Sequence, residues 1–216
     1  MGRGGVRDAA TVVAAREGRG GPEVLVVRRS ASSRFLAGYV AFPGGAVEPG
    51  DAELAARWFG TRAEAARACA VRELLEETGL ALTRGGMRRA EVRDGLAAID
   101  AAPPLAEQLA PISRWVAPER VPVRFDARFF AVRAAPDLEP RASSPEVAEA
   151  RWARPGDLLE GWAEGRVLLF WPTMKMLEGL AGCRDVEEIL RARIPQREPV
   201  GGEEASMPRS TFSEGA

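Results

Sequence analysis

The chain has 216 residues, which suits one domain with tails, and its formal charge of −1 favours neither nucleic acid nor an anionic membrane as a partner. It contains no histidine, which excludes Ser-His and Cys-His catalysis and histidine-ligated zinc, so acid–base chemistry must come from carboxylates, Lys175, Tyr39 or metal-bound water. Its two cysteines make no disulfide framework, so a reducing cytoplasm is the expected location.

The first half of the chain is predicted to begin with strands and to continue with helices. Residues 1–9 are rich in Gly and Arg and are expected to be flexible. Apolar residues 10–15 and 24–27 flank a Gly-rich stretch, which predicts a hairpin or two neighbouring strands. The other predicted elements are a strand at 39–42, a tight turn at Pro43-Gly44-Gly45, a helix over 52–59 that ends at Gly60, and a helix from about residue 62 to Thr78 with Gly79 as its C-cap.

The second half is predicted to alternate strands and helices and to end in a polar tail. Residues 91–105 favour a strand followed by a helix, and residues 138–144 favour a polar loop. Strands are predicted at 113–116, 128–133 and 149–153, and helices at 155–161, 173–180 and 186–192. Residues 195–216 are rich in Pro, Gly, Glu and Ser and are expected to be disordered.

Three carboxylates share one face of the predicted helix over residues 62–78. Glu73, Glu76 and Glu77 stand at i, i+3 and i+4, and like charges at that spacing repel unless a cation lies among them. Oxygen-only clusters of this kind suit hard divalent ions such as Mg²⁺. The segment therefore indicates metal-assisted chemistry on phosphate.

The carboxylates belong to a longer pattern that starts at Gly45. Residues 72–80 read Arg-Glu-Leu-Leu-Glu-Glu-Thr-Gly-Leu, and Gly45 and Asp51 precede them. This resembles the box of the Nudix hydrolases, which consists of Gly, five residues, Glu, seven residues and then Arg-Glu-apolar-x-Glu-Glu-x-Gly-apolar. Asp51 stands where the family usually has Glu, and 20 residues rather than seven separate it from Arg72. We therefore interpret residues 52–63 as an insertion in the loop before the helix.

The resemblance implies a fold, a cofactor and a set of roles. The implied fold is α/β, an α/β/α sandwich around a mixed β-sheet over residues 10–194, and the implied cofactor is Mg²⁺ or Mn²⁺. Arg72 is expected to aim a ligand carboxylate through an ion pair. The implied metal ligands are Glu73, Glu76, Glu77 and the Gly45 carbonyl. The implied catalytic residues are Arg72, Glu73 and Glu76, with Glu73 as one candidate base. Glu146, which precedes a predicted strand, is a further catalytic candidate as a loop-borne base.

Glu64 has two interpretations. It lies at the family's spacing before Arg72, so it could replace Asp51 in space. It also closes a capping box with Thr61, which explains it without a catalytic role. Capping alone is the simpler explanation.

A second resemblance concerns the substrate. Arg29-Ser30, Arg34, Gly38 and Phe42-Pro43-Gly44-Gly45 follow the spacing Arg-Ser-x3-Arg-x3-Gly-x3-Phe-Pro-Gly-Gly, which is similar to the signature of the coenzyme A diphosphatase branch. Its usual Leu-Leu-Thr opening is here Leu-Val-Val. Segments around Trp115, Pro118, Pro122, residues 124–130 and residues 146–152 are also similar to long-insert members of that branch. The substrate-binding residues it implies are Arg29, Arg34, Gly44, Gly45 and Arg124.

Several candidates have a structural alternative. Arg29 and Arg34 could grip substrate phosphate or be surface arginines. Arg124 and Arg128 flank Asp126 and could form an ion-pair network. The loop carboxylate of Glu146 could be simply exposed. The aromatic and thiol side chains expected to be buried are those of Trp58, Trp115, Trp152 and Cys69.

The function predicted from both resemblances is divalent-metal-dependent hydrolysis of coenzyme A or acyl-coenzyme A to adenosine 3′,5′-bisphosphate and 4′-phosphopantetheine. The first alternative is the same chemistry on ADP-ribose, a nucleotide sugar or a dinucleotide. The second is a regulatory module that binds a nucleotide without cleaving it, which the intact carboxylates disfavour. The expected partner is a small nucleotide-derived molecule, and a homodimer is one assembly left open.

Overall fold

The computed structural model describes residues 5–33, 36–119 and 124–197. In this part of the chain, a seven-stranded mixed sheet lies between two layers of helices, and a two-stranded hairpin completes the fold. The strands are β1 Arg7–Gly18, β2 Gly21–Arg29, β3 Val40–Ala41, β4 Gly44–Ala46, β5 Leu80–Thr83, β6 Gly86–Arg89, β7 Ala110–Val116, β8 Phe125–Arg133 and β9 Val147–Ala153. The helices are α1 Pro49–Phe59, α2 Ala65–Thr78, α3 Val92–Ala101, α4 Pro155–Ala163, α5 Trp171–Leu180 and α6 Val186–Arg191.

Strand alternation distributes the core between the two faces of the sheet. In β2, Leu25 packs under the first three helices, while Val24 and Val26 pack under the last three. This is the period-2 alternation that places successive side chains on opposite faces. The result is the α/β/α sandwich predicted from the sequence.

The active-site region is built where β1 and β2 diverge. The two strands pair near their hairpin, but farther along β1 pairs with β4, with Ala10 opposite Gly45, and β2 pairs with β3. The amide of Val12 also donates to the carbonyl of Pro43 (2.8 Å). The segment that connects β3 to β4 is thereby fixed beside α2, which packs against both β1 and β4.

Helices α1 and α2 both end at the glycines that were predicted to stop them. Gly60 and Gly79 both adopt the left-handed conformation, with φ of 75° and 65°, which glycine reaches without a Cβ penalty. Helix α2 itself begins later than predicted, at Ala65. Residues 62–64 form a 3₁₀ turn, the Thr61 hydroxyl accepts from the Ala63 amide, and the predicted capping box with Glu64 is not formed.

Other predicted elements differ from the structure. Residues 92–101 form helix α3 directly, without the strand expected before it, and hairpin β5–β6 was not predicted. The Gly44-Gly45 pair lies in strand β4 rather than in a tight turn, because both residues pair with β1. Strand β1 starts at Arg7, inside the segment expected to be flexible. Strands β7, β8 and β9 contain the predicted ones and extend them.

The predicted tail is partly ordered. Gln196 exchanges two hydrogen bonds with the backbone of Val116, both 2.9 Å, and the carbonyl of Arg197 accepts from the indole of Trp171 (2.7 Å). Residues 198–216 of that prediction lie outside the described residues. Among the helices described, none combines the length and hydropathy needed to cross a membrane.

Candidate active site

Arg72 connects the start of helix α1 with the carboxylates of helix α2. Its guanidinium binds both oxygens of Asp51, at 2.8 and 3.1 Å. Its Nη1 also lies 2.8 Å from Glu73 and 2.9 Å from Glu76. Burial opposes the charged form of Arg72, but the hydrogen bonds to Asp51 and the nearby carboxylates raise its pKa above the usual value. Carboxylates at this helical spacing repel one another unless a cation lies among them. Arg72 is that cation for Glu73 and Glu76.

Asp51, not Glu64, is the partner of Arg72. The Asp51 side chain is 0% exposed, and it also accepts a hydrogen bond from the amide of Glu48 at the start of α1 (2.8 Å). Glu64 instead forms an ion pair with Arg67, one helical turn further on. The position expected from the resemblance is thus filled by Asp51 in space, and Glu64 acts elsewhere.

Glu77 is a buried carboxylate held by strand β4. One of its oxygens accepts from the amide of Gly44 at 3.1 Å, and the residue is only 6% exposed. Burial raises the pKa of Glu77 to about 8, the charge of Glu73 adds to the increase, and the Gly44 hydrogen bond opposes it. Because burial disfavours the charged form of Glu77, a nearby cation would stabilise that charged form.

Gly45 lies so close to Glu73 that a side chain at this position would displace the Glu73 carboxylate. A Cβ at Gly45 would lie 2.7 Å from Cδ of Glu73 and closer still to Oε1. The Gly45 carbonyl faces the thiol of Cys69 at 3.6 Å, a weak contact. Burial raises the pKa of Glu73, while the charge of Arg72 lowers it. Because Gly45 has no side chain, the Glu73 carboxylate can lie directly against strand β4.

Arg29 and Glu146 lie beside the Glu77 carboxylate. Nη2 of Arg29 is 3.4 Å from Oε2 of Glu146. Both charges act on the pKa of Glu77: that of Arg29 lowers it and that of Glu146 raises it. The backbone carbonyl of Glu146 also accepts from the amide of Ser30 (2.7 Å), which fixes its loop to the end of β2. The structure thus brings together two candidates that are 117 positions apart in sequence.

The two remaining substrate candidates, Arg124 and Arg34, stay predictions. Arg124 donates from Nε to the carbonyl of Ala117 at 3.2 Å, at the start of β8. Arg34 lies outside the described residues. Asp126 pairs with Arg114 on the neighbouring strand, and the charge of Arg128, one of the two predicted partners, also lowers the pKa of Asp126.

Residues 141–143 hold the end of α2, a contact that the sequence analysis missed. The amide of Ser143 donates to the carbonyl of Glu77 (3.1 Å), and that of Arg141 donates to Thr78 (3.0 Å). These bonds satisfy carbonyls that a helix end leaves without partners. A Cβ on Gly79 would lie 2.8 Å from the Ser143 hydroxyl, so only that glycine was a usable sequence signal.

Comparison with known proteins identifies the family. A family model described as the NUDIX domain matches residues 5–171 of the chain. The chain belongs to the NUDIX family. The fold is similar to the crystal structure of a NUDIX hydrolase from Alicyclobacillus acidocaldarius, with 33% sequence identity and a TM-score of 0.73, over 88% of this chain and 98% of that one. The predicted Nudix fold and hydrolase class are thereby confirmed.

Two further relatives are more distant. A Caenorhabditis elegans protein named putative nudix hydrolase 7 is 25% identical over 177 residues, which are 75% of this chain and 57% of that protein. The chain thus spans little more than half of that relative's length. The NUDIX domain of Shewanella oneidensis NrtR, in a complex with ADP ribose, is 14% identical with a TM-score of 0.53, over 81% of this chain and 86% of that one. That likeness concerns the fold alone.

The carboxylates of the Nudix box fit a hard divalent ion by their chemistry. In the described part of the chain no three acidic or thiol side chains are arranged as a metal cluster, because Arg72 engages Glu73 and Glu76. The available donors are nevertheless all oxygen atoms, and the pKa values of the buried Glu77 and the partly buried Glu73 are both raised. Rotation of Glu73 and Glu76 away from Arg72 would supply the remaining ligands.

Replacement of Gly45 tests how closely strand β4 must approach the box helix. In a Gly45→Ala variant the new methyl group would displace the Glu73 carboxylate, so we expect kcat to fall by about 10- to 100-fold. Gly50→Ala is the matched control, since a Cβ there meets nothing within 4 Å. Steady-state assays of both variants measure the difference, and equal activity of the two would contradict this role of Gly45.

Proposed function

We propose that the chain is a divalent-metal-dependent diphosphatase whose substrate is coenzyme A or an acyl-coenzyme A. The observation that carries the proposal is the arrangement at one end of α2. There, the buried Glu77 lies between strand β4 and the pair Arg29–Glu146. Arg29 belongs to the pattern that is similar to the coenzyme A branch.

The roles in this reaction follow from charge and position. Glu73, Glu76 and Glu77 would hold Mg²⁺ or Mn²⁺, which neutralises phosphate charge and acidifies a water when bound. Arg72 is anchored by its ion pair with Asp51 and contacts the first two carboxylates, which would turn from it toward the metal. Glu73 and Glu146 are the candidate bases for the attacking water.

Substrate contacts are proposed for the residues around Glu77. Arg29 would donate to a phosphate oxygen, for which a guanidinium is well suited. Gly44 and Gly45 are proposed to contact the phosphates through backbone atoms of β4. Arg34 and Arg124 stay predictions. Attack of water on one phosphorus breaks the bridging P–O bond and gives adenosine 3′,5′-bisphosphate and (acyl-)4′-phosphopantetheine.

The segment 52–63, which we propose to be an insertion in the Nudix box, has a structural role in this scheme. Trp58 is 6% exposed and donates from its indole to Asp100 in α3 at 2.7 Å. It therefore packs into the core with α2 and α3 instead of presenting a ring for stacking on a base.

A substrate panel tests the proposal. We expect coenzyme A to be consumed at fixed Mg²⁺ faster than ADP-ribose, nucleotide sugars or dinucleotides, with both products seen by liquid chromatography and mass spectrometry. The same panel with EDTA is the control and is expected to show no turnover. Coenzyme A left intact while ADP-ribose is consumed would favour the alternative substrate. Tight binding without turnover at saturating Mg²⁺ would favour a regulatory module.

A further inference from the structure

A cavity of about 380 Å³ lies on the opposite face of the sheet from the Nudix box. Arg28 of β2 lines it and follows Val24 and Val26 on the face that packs under α4–α6. The next residue, Arg29, faces α2. The sheet itself therefore separates this cavity from the carboxylates.

The cavity wall carries more positive than negative charge. Its lining includes Arg28, Arg151 and Arg166 but only one acidic residue, Glu149. Nε of Arg28 lies 3.1 Å from one oxygen of Glu149, and Nε of Arg151 lies 3.3 Å from the other. Arg166 forms an ion pair with Glu164. Since a guanidinium has five N–H donors, the amino groups of Arg28 and Arg151 offer further donors.

The rest of the wall is apolar, and part of it is exposed. Val40 is buried beneath the cavity, whereas Leu168 at its side is 49% exposed. Within the described residues, Leu168 is the most exposed of the large hydrophobic side chains. Exposed apolar surface beside convergent polar groups is typical of small-molecule sites.

We propose that this cavity is a second binding site, separate from the catalytic one, for a phosphate group attached to an apolar or planar body. Arg28 and Arg151 would bind the phosphate, and Leu168 would cover the body of the ligand. Glu149 now occupies the position between the two arginines, so a bound phosphate would compete with it. The volume suits a ligand of the size of a nucleoside monophosphate. This site does not depend on the identity of the substrate.

The test is a titration of ¹⁵N-labelled full-length protein with adenosine 5′-monophosphate in EDTA, followed by NMR. We expect saturable shifts of the amides of Gly38, Val40 and Leu168. Inorganic phosphate and adenosine are each expected to bind at least about tenfold more weakly, since each offers half of the contacts. Binding in the Nudix box would instead shift Gly44 and Gly45.

Two charge variants are expected to change the affinity for adenosine 5′-monophosphate in opposite directions. Arg151→Gln is expected to weaken binding about tenfold, and Glu149→Gln to tighten it severalfold, because the competing carboxylate is removed. Arg184→Gln, in an exposed ion pair with Glu188 on α6, is the control and leaves binding unchanged. The proposal is overturned by a lack of saturable shifts at the cavity, by equal affinity for inorganic phosphate, or by a Glu149→Gln variant that does not bind more tightly.

Discussion

A Glu77→Gln variant is expected to lose catalysis and yet to be more stable at alkaline pH when no metal is present. The isosteric amide keeps an oxygen for the Gly44 amide but removes a charge from the proposed metal ligands. We expect kcat to fall by about 100- to 1000-fold. Rates measured at saturating Mg²⁺ check this part of the prediction.

The stability part follows from the raised pKa of Glu77, about 8 in the folded protein against an ordinary value of 4.5. The folded state binds the proton more tightly, so its contribution to stability is complete below pH 4.5 and is lost as pH rises through 8. Metal-free Glu77→Gln, which has no charge to bury, should therefore match the wild-type protein at pH 5. At pH 9 it should be more stable by about 2–4 kcal/mol.

Urea denaturation in EDTA at both pH values measures this difference. Glu160→Gln, an exposed carboxylate on α4, is the control and should change neither activity nor pH dependence. Added Mg²⁺ is expected to stabilise the wild-type protein more than the variant. Equal stability of Glu77→Gln and wild type at pH 9 would show that burial of the charged Glu77 does not destabilise the folded protein.

An Arg72→Met variant is expected to lower the free energy of unfolding by about 3–5 kcal/mol, because it leaves Asp51 buried without its cation. The Asp51 side chain is 0% exposed and that of Arg72 only 11%. The same change frees Glu73 and Glu76 from their shared partner. Loss of activity should accompany the loss of stability.

A double-mutant cycle separates the ion pair from packing. Adding Asp51→Asn to Arg72→Met removes the unpaired charge, so the double variant should be more stable than Arg72→Met alone. Arg184→Met, whose side chain is 84% exposed, is the control and should cost less than about 1 kcal/mol. A cost of that small size for Arg72→Met would mean that the pair does not support the site.

Local sequence predicted most of the elements that carry the box. The structure has the predicted helix through Glu73, Glu76 and Glu77 and the predicted C-cap at Gly79. Both depend only on residues within a few helical turns of one another. The start of α2 is predicted too early, near residue 62 instead of Ala65, because a 3₁₀ turn and an α-helix share the same capping residues at Thr61. Hairpin β5–β6 was missed because its strands have only four residues each, too few for a clear pattern.

Contacts between distant segments could not be predicted in the same way. Arg29 and Glu146 meet because β2 pairs with β9, with Arg29 opposite Val147. The neighbouring arginines Arg28 and Arg29 take part in different sites: Arg28 lines the cavity, and the charge of Arg29 acts on Glu77. Arg124 donates from Nε to the carbonyl of Ala117, a contact that spacing along the chain does not indicate.

The sequence by itself determined the family and the hydrolase class, because the carboxylates of the box lie on one helix with a fixed period. Only the tertiary structure decided that Asp51 and not Glu64 holds Arg72, and that Glu77 is buried against Gly44. Those contacts depend on how β1 and β2 diverge and on which strand fills the space between them. Side-chain spacing along one helix is local, whereas strand pairing joins residues at any distance in the chain.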